Sequence, residues 1–167
     1  MIVLIAACDR NGVIGYNGKI PWNIKGEQKR FKELTTGNIV VMGRRSYEEI
    51  GHPLSGRTTL VISNTVCYNS HNVYTVKSLS EAISYDYTRD IYISGGARLY
   101  QEALPSADKI YLTFIEQEFT GDTFFPKINI EEWVKTYEMR MEGEIPYTYI
   151  TLDRKLINQS TSQCVHW

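Results

Sequence analysis

The sequence predicts an α/β fold: one domain around a mostly parallel, mixed sheet of eight strands, with an antiparallel C-terminal hairpin and about four flanking helices. Two observations carry that prediction. Short β-branched runs alternate with amphipathic stretches along most of the chain, the pattern of strands covered by helices. The last two apolar runs then follow one another with no helical stretch between them, which makes them an antiparallel pair at a sheet edge. At 167 residues, 43% of them hydrophobic and 22% charged, the chain suits one globular domain with a sizeable core.

The elements follow in order. Ile2–Cys8 is an unbroken apolar run and reads as a buried strand; it is too short for a signal peptide and lacks a basic start. Arg10–Ile20 is a long loop carrying Gly12, Gly15 and Gly18, a composition that favours mobility. A helix over Lys25–Thr35 places Ile24, Phe31 and Leu34 on one stripe, with Lys25, Lys29, Arg30, Lys32 and Glu33 toward solvent. Ile39–Met42 reads as a strand that runs through Gly43 into a helix over Arg44–Ile50. After the turn-rich loop Gly51–Arg57 come strands over Thr58–Ile62 and Val73–Thr75. Ser78 followed by Glu81 signals the start of a helix over Ser78–Tyr85. Ile91–Ser94 is a strand, Ala97–Ala103 a helix, and Lys109–Phe114, Val134–Met141 and Tyr147–Arg154 complete the strands. The domain spans 1–156, and the polar tail 157–167 is expected to fray.

Bulk properties exclude several function classes. A formal net charge of −1 offers no general attraction to nucleic acid or to anionic membranes, and no run is long enough to cross a bilayer. Cys8, Cys67 and Cys164 are odd in number and far apart, so they form neither a disulfide framework nor a metal pair. His52, His71 and His166 have no acid or thiol at ligand spacing, which leaves no metal site and no Ser-His-Asp arrangement. Asn158-Gln159-Ser160 matches a glycosylation acceptor, but nothing else points to secretion; a cytoplasmic protein is expected.

Three places break a local rule. Glu27 lies three residues after Ile24 and four before Phe31, so a carboxylate shares the apolar stripe. Apolar surroundings penalise its charge and raise its pKa, as in acids that move protons or hold a polar ring. A helix-edge Glu that reaches water past its own stem has the same spacing. In Val41-Met42-Gly43-Arg44-Arg45-Ser46, two arginines open a helix where the dipole disfavours cations, so an anion belongs beside them. In Ile93-Ser94-Gly95-Gly96-Ala97-Arg98, a strand meets two glycines, which let a ligand approach the backbone closely, and then another arginine. Solvent-facing arginines and an ordinary tight turn also fit each junction alone. Neither is the GxGxxG fingerprint.

Taken in order, these features resemble dihydrofolate reductase of the chromosomal bacterial type, from Ile2 to about Leu156. The residues that carry the resemblance are Ala6-Ala7, Ile14-Gly15, Pro21-Trp22, Glu27 with Phe31, and Val41-Met42-Gly43-Arg44. Further along they are Gly56-Arg57, Gly95-Gly96, Tyr111-Leu112-Thr113 and Gly121-Asp122-Thr123-Phe124-Phe125-Pro126. The resemblance implies NADPH-dependent reduction of 7,8-dihydrofolate to tetrahydrofolate by a monomer that also binds antifolate inhibitors. Glu27 would hold the pterin ring, Thr113 would support Glu27, and Trp22 would organise nearby water. Ile5, Ala6, Ala7, Phe31, Ile50, Leu54 and Tyr100 would line the substrate cleft, and Arg57 would grip the α-carboxylate of the substrate's tail.

On the cofactor side, the resemblance assigns the phosphates to Gly43, Arg44, Arg45 and Ser46, joined by Ile62, Ser63, Asn64 and Lys77. Ala7, Ile14 and Gly95, Gly96, Ala97, Arg98, Leu99 and Tyr100 would meet the pyrophosphate and nicotinamide, with a cis peptide between Gly95 and Gly96. The loop carrying Gly15, Gly18, Lys19 and Ile20 would close over the rings, and Asp122, beside Thr123, would hydrogen-bond that loop. The chain departs from the common pattern where it has Glu27 in place of Asp and Ala97 in place of a third glycine. Gln28 and Ser94 stand where ligand-facing positions are usually apolar, which predicts weaker binding of trimethoprim. A pyrimidine reductase of riboflavin synthesis shares the implied fold but would not need Pro21-Trp22, Glu27 or Arg57. A noncatalytic nucleotide- or folate-binding protein is the reading from another class.

Overall fold

The computed structural model describes residues 1–156. Its elements are β1 (Ile2–Asp9), β2 (Val13–Gly15), α1 (Lys25–Thr35), β3 (Ile39–Gly43), α2 (Arg44–Ile50), β4 (Thr58–Ile62) and β5 (Val73–Val76). They continue with α3 (Leu79–Ile83), β6 (Ile91–Ile93), α4 (Ala97–Ala103), β7 (Lys109–Ile115), β8 (Thr123–Phe124), β9 (Trp133–Met141) and β10 (Tyr147–Arg154). The tail 157–167, with Asn158-Gln159-Ser160, Cys164 and His166, lies outside the described residues.

The near-continuous apolar runs form the sheet centre because helices cover both their faces. Eight strands pair in the order β5-β4-β3-β6-β1-β7-β10-β9, mixed as expected. β1 runs parallel to both β6 and β7, while β10 runs antiparallel to β7 and β9. Side-chain alternation along β1 divides the core. Leu4, Ala6 and Cys8 pack with Leu79, Ala82, Leu99 and Ala103 of α3 and α4. Val3 and Ile5 pack on the other face with Tyr92 and with Phe31 and Leu34 of α1. Val40, Met42, Tyr47, Leu54 and Val61 extend that face, and Phe31 touches both groups. Fully buried side chains such as Leu4, Ile39, Ile93 and Ile110 each contribute about 1.5–3 kcal/mol of transfer free energy.

Parallel pairing of β3 with β6 brings their C-terminal ends together. The Gly43 amide donates to the Gly95 carbonyl at 2.9 Å, so the two glycine–arginine junctions become neighbours. The peptide between Gly95 and Gly96 is cis, as the resemblance implied.

Three expectations change. The predicted helix Ser78–Tyr85 is shorter, Leu79–Ile83, because the Ser84 hydroxyl turns back to the Ser80 and Glu81 carbonyls. Ser78 caps it from outside, accepting from the Glu81 amide at 3.1 Å. Arg30, expected toward solvent, is half-buried with its guanidinium 3.9 Å from the centre of the Tyr149 ring. A flat, apolar-compatible cation can cover an aromatic face where a strongly hydrated ammonium would stay in water. The loop after β1 also contains strand β2, which pairs with β8 in a separate two-stranded sheet. Gly121 permits that approach: a Cβ there would collide with the Val13 side chain and stand 3.0 Å from the Gly15 carbonyl oxygen.

Candidate active site

Helix α1 begins at Lys25, so Glu27 lies in its first turn, facing the sheet where β7 ends. The Thr113 hydroxyl, only 3% exposed, donates to Glu27 Oε1 at 2.6 Å. Burial pushes the Glu27 carboxyl above the usual carboxylate range, and the Thr113 bond and the Arg30 charge oppose that rise. The result is a half-buried acid held in one orientation, able to accept from a polar ring or to hold a proton.

At the other end of α1, Thr35 is fully buried and accepts from Arg57 at 3.2 Å while its own hydroxyl donates to the Phe31 carbonyl. Arg57 is 6% exposed, donates also to the Ser55 carbonyl, and sits over the Phe31 ring at 5.7 Å. Burial lowers its pKa, and among the described residues it forms no ion pair. A buried guanidinium without a carboxylate is a site for an external anion. Eight residues of helix separate Glu27 from Thr35, about 12 Å of axial rise. Between them, Ile5, Phe31, Ile50 and Leu54 line the α1–α2 side of the sheet. Ala7 alternates onto the same face, whereas Ala6 points into the opposite core. The arrangement suits an elongated ligand with a polar ring at one end and an anion at the other.

Tyr100 is 5% exposed, and its hydroxyl donates to the Ile5 carbonyl at 2.7 Å. Burial raises its pKa, so it acts as a neutral donor under β1. Trp22 is half-buried against the Phe119 ring at 5.3 Å. Gln28 is exposed and donates to Asn23 Oδ1 at 3.3 Å, while the half-buried Ser94 hydroxyl donates to the Val41 carbonyl at 3.4 Å.

The cationic junctions lie at the C-terminal ends of the parallel strands. Arg44 donates to Thr65 Oγ1 at 3.1 Å and lies 3.8 Å from Glu48. Arg45 and Arg98 are exposed and form no ion pair among the described residues. Ser46 Oγ stands 3.6 Å and 3.7 Å from where a Cβ would be at Gly95 and Gly96, so a side chain at either would fill the cradle. Ala97 and Leu99 follow on α4, Leu99 buried. Ser63 is 8% exposed, its Oγ accepting from the Thr65 and Val66 amides, next to the half-buried Ile62. Asn64 reaches the Lys77 carbonyl at 3.4 Å, which brings those two exposed residues together. These donors and cations, with an open glycine backbone, fit a polyphosphate such as that of NADPH.

The loop after β2 is pinned from three sides. Asp122 Oδ2 accepts from the Asn17 amide at 3.1 Å, and its Oδ1 accepts from the Thr123 hydroxyl; these bonds hold its carboxyl below the usual range. The Tyr16 and Lys19 backbones bridge around Gly18, whose φ is +75°. The Ile20 amide donates to Glu49 of α2 at 2.9 Å. Ile14 and Gly15 sit half-buried on β2.

Sequence reasoning missed Thr35, Glu49 and Thr65, and placed Arg30 toward solvent. Thr35 left a signal, a hydroxyl four residues after Phe31 on the buried stripe. Thr65 and Glu49 act across loops, which spacing cannot show.

A mixed sheet with a half-buried acid and a buried guanidinium at opposite ends of α1, beside a phosphate-compatible edge, defines a class, the single-domain α/β proteins built to bind nucleotides. A family model described as dihydrofolate reductase matches residues 1–154. The dihydrofolate reductase type A13 of Escherichia coli is 38% identical over 156 residues, covering 92% of this chain and 94% of that one. Dihydrofolate reductase of Staphylococcus aureus is 34% identical over 156 residues, covering 91% and 97%. A solved structure of dihydrofolate reductase from Enterococcus faecalis, complexed with NADP(H) and RAB-propyl, superposes with a TM-score of 0.86 at 34% identity, covering 93% of this chain and 96% of that one. The chain belongs to the dihydrofolate reductase family, whose members are NADPH-dependent oxidoreductases. Among the described residues no helix is long and apolar enough to cross a membrane.

Proposed function

We propose that the chain reduces 7,8-dihydrofolate to 5,6,7,8-tetrahydrofolate, with hydride delivered to C6 and a proton to N5, as a cytoplasmic monomer supporting one-carbon metabolism and thymidylate synthesis. The observation that carries this reading is Glu27, half-buried and fixed by the Thr113 hydroxyl at 2.6 Å. The hydride is the contribution of NADPH when it is bound. Glu27 accepts from the pterin's 2-amino group and N3 and sets the ring in register. Its raised pKa keeps a proton available near the ring at higher pH than an exposed carboxylate would. Arg57 holds the α-carboxylate at the far end of α1, and Arg44, Arg45 and Ser46 hold phosphate at the sheet edge. The loop pinned by Asp122 and Glu49 excludes water when it covers the rings.

Gln28 and Ser94 support a second reading, weak binding of trimethoprim, because each puts a polar group where apolar contact is usual. Losing such contact costs about 1–3 kcal/mol, roughly tenfold to two-hundredfold in affinity. The test mixes protein, NADPH and dihydrofolate and follows nicotinamide absorbance with and without trimethoprim. Rapid oxidation that persists with the drug supports both readings, and Ser94→Ile then restores sensitivity. Rapid oxidation abolished by low drug removes the second reading. Absent oxidation alongside demonstrable NADPH binding removes the first and favours a binding protein or a reductase of another substrate.

A further inference from the structure

Arg30 is a half-buried cation that makes no ion pair among the described residues. It lies three residues after Glu27 on α1, a spacing that puts the two side chains on adjacent positions of one face, with Cβ atoms about 5–6 Å apart. Its guanidinium stacks 3.9 Å from the Tyr149 ring centre and lies 5.6 Å from that of Tyr137 and 6.0 Å from that of Tyr111. Those rings come from β10, β9 and β7, so the edge hairpin and the strand bearing Thr113 together build a shelf for the guanidinium, with Lys109 sharing the Tyr111 ring at 5.6 Å. The shelf is fastened to the helix, because the Tyr149 hydroxyl donates to the Gly26 carbonyl at 3.1 Å. Among the described residues Arg30 forms no ion pair and no side-chain hydrogen bond. An arginine that served only solubility would lie in water, as Lys29 and Lys32 of the same helix do.

We propose that Arg30 is a positioning residue for Glu27: the aromatic shelf of Tyr111, Tyr137 and Tyr149 fixes a positive charge one helical turn from the acid and so sets the pH range over which that acid keeps its proton. The other titratable and charged groups around the shelf and the acid are Tyr100 from α4, Tyr111 and Lys109 from β7, Tyr137 from β9, and Tyr147 and Tyr149 from β10; Lys109 lies 5.6 Å from the Tyr111 ring centre and is paired with Asp153 at 3.4 Å. Burial pushes Tyr100 and Tyr149 upward, so both stay uncharged near neutral pH. Arg30 is then the fixed charge that acts on Glu27, and its attraction favours the ionised acid. Stacking on Tyr149, with Tyr137 and Tyr111 alongside, keeps the guanidinium from swinging into bulk water, where screening would weaken its effect.

The proposal rests on the role of Glu27 proposed above, and its test separates the two. The variants are Arg30→Gln, which removes the charge, and Arg30→Lys, which keeps it. The first readout is the titration of Glu27 itself in the ligand-free chain, followed by carbon-13 carboxyl resonances and assigned by the signal lost in Glu27→Gln. The second is the pH profile of kcat/KM for dihydrofolate. In Arg30→Gln the Glu27 midpoint rises, and activity on the alkaline limb increases about threefold to tenfold, the effect of removing one unit charge at this separation. Arg30→Lys stays close to the parent in both, and the affinity for NADPH is unchanged in either variant. An unmoved Glu27 midpoint in Arg30→Gln, or equal shifts in both variants, overturns the proposal. A midpoint that moves as expected while the activity profile stays fixed supports the tuning by Arg30 and removes Glu27 from the proton step instead.

Discussion

At the scale of the residue, Glu27 sets function against stability. Its folded-state pKa is raised, so between its unfolded and folded pKa values the native chain binds more protons than the unfolded chain. Stability contributed by this group therefore falls as pH rises through that window, the reverse of a paired surface carboxylate. Glu27→Gln removes the buried charge and keeps an oxygen to accept from Thr113. Thermal melts should show the variant above the parent near pH 8, with the difference disappearing on the acid side of the ordinary carboxylate range. The same variant should bind NADPH within about twofold of the parent yet reduce dihydrofolate roughly a hundredfold or more slowly at neutral pH. Unchanged turnover removes Glu27 from the mechanism. The apolar stripe marked this carboxylate, whereas its partner Thr113 was named only by the family resemblance, because no local spacing says that β7 lies beside α1.

At the scale of the element, periodicity located what is long and hid what is short. Helix α1 keeps its predicted bounds because its apolar positions recur over three turns; β4 keeps its bounds as a run of threonine and aliphatic residues between turn residues. Strands β2 and β8 hold three and two residues, too few to show a period, and they exist because distant backbone meets there. Asp9 holds that junction. It is fully buried, its Oδ1 accepting from the Asn11 and Val13 amides at 2.9 Å and 2.8 Å, and its Oδ2 from the Phe119 amide at 2.8 Å. One carboxylate thus joins the end of β1, the start of β2 and the segment before β8. In Asp9→Asn the amide nitrogen opposes one of these donors, leaving a buried N–H unpaired. Chemical denaturation should show a loss of about 1–3 kcal/mol, with the two-stranded sheet losing hydrogen-exchange protection first. A midpoint equal to the parent's shows that the junction does not depend on this carboxylate.

At the scale of the whole molecule, the sheet's polarity separates the two anion sites proposed at Arg44 and Arg57. Arg44 follows the C-terminal end of β3 and Arg57 precedes the N-terminal end of β4, and these strands are parallel, so the two arginines stand at opposite ends of the sheet. In the sequence they are only 13 positions apart in one loop-and-helix stretch, and nothing local says that one is half-exposed and the other buried. Separate sites predict separable linkage. A ligand that binds only the folded chain adds about 2.7 kcal/mol at a hundred times its Kd, and each 1 kcal/mol raises Tm by about 2–4 °C in a chain of this size. NADPH and dihydrofolate should therefore each raise Tm by roughly 5–11 °C. Arg57→Gln should lose most of the dihydrofolate shift while keeping that of NADPH, and Arg44→Gln should do the opposite, each shift measured against its own ligand-free variant. Truncating a charge-assisted contact weakens binding by about 1.5–3 kcal/mol, enough to remove most of a shift of that size at fixed ligand concentration. If either variant loses both shifts equally, the two arginines serve one site, and the division of the sheet into a substrate end and a cofactor end is wrong.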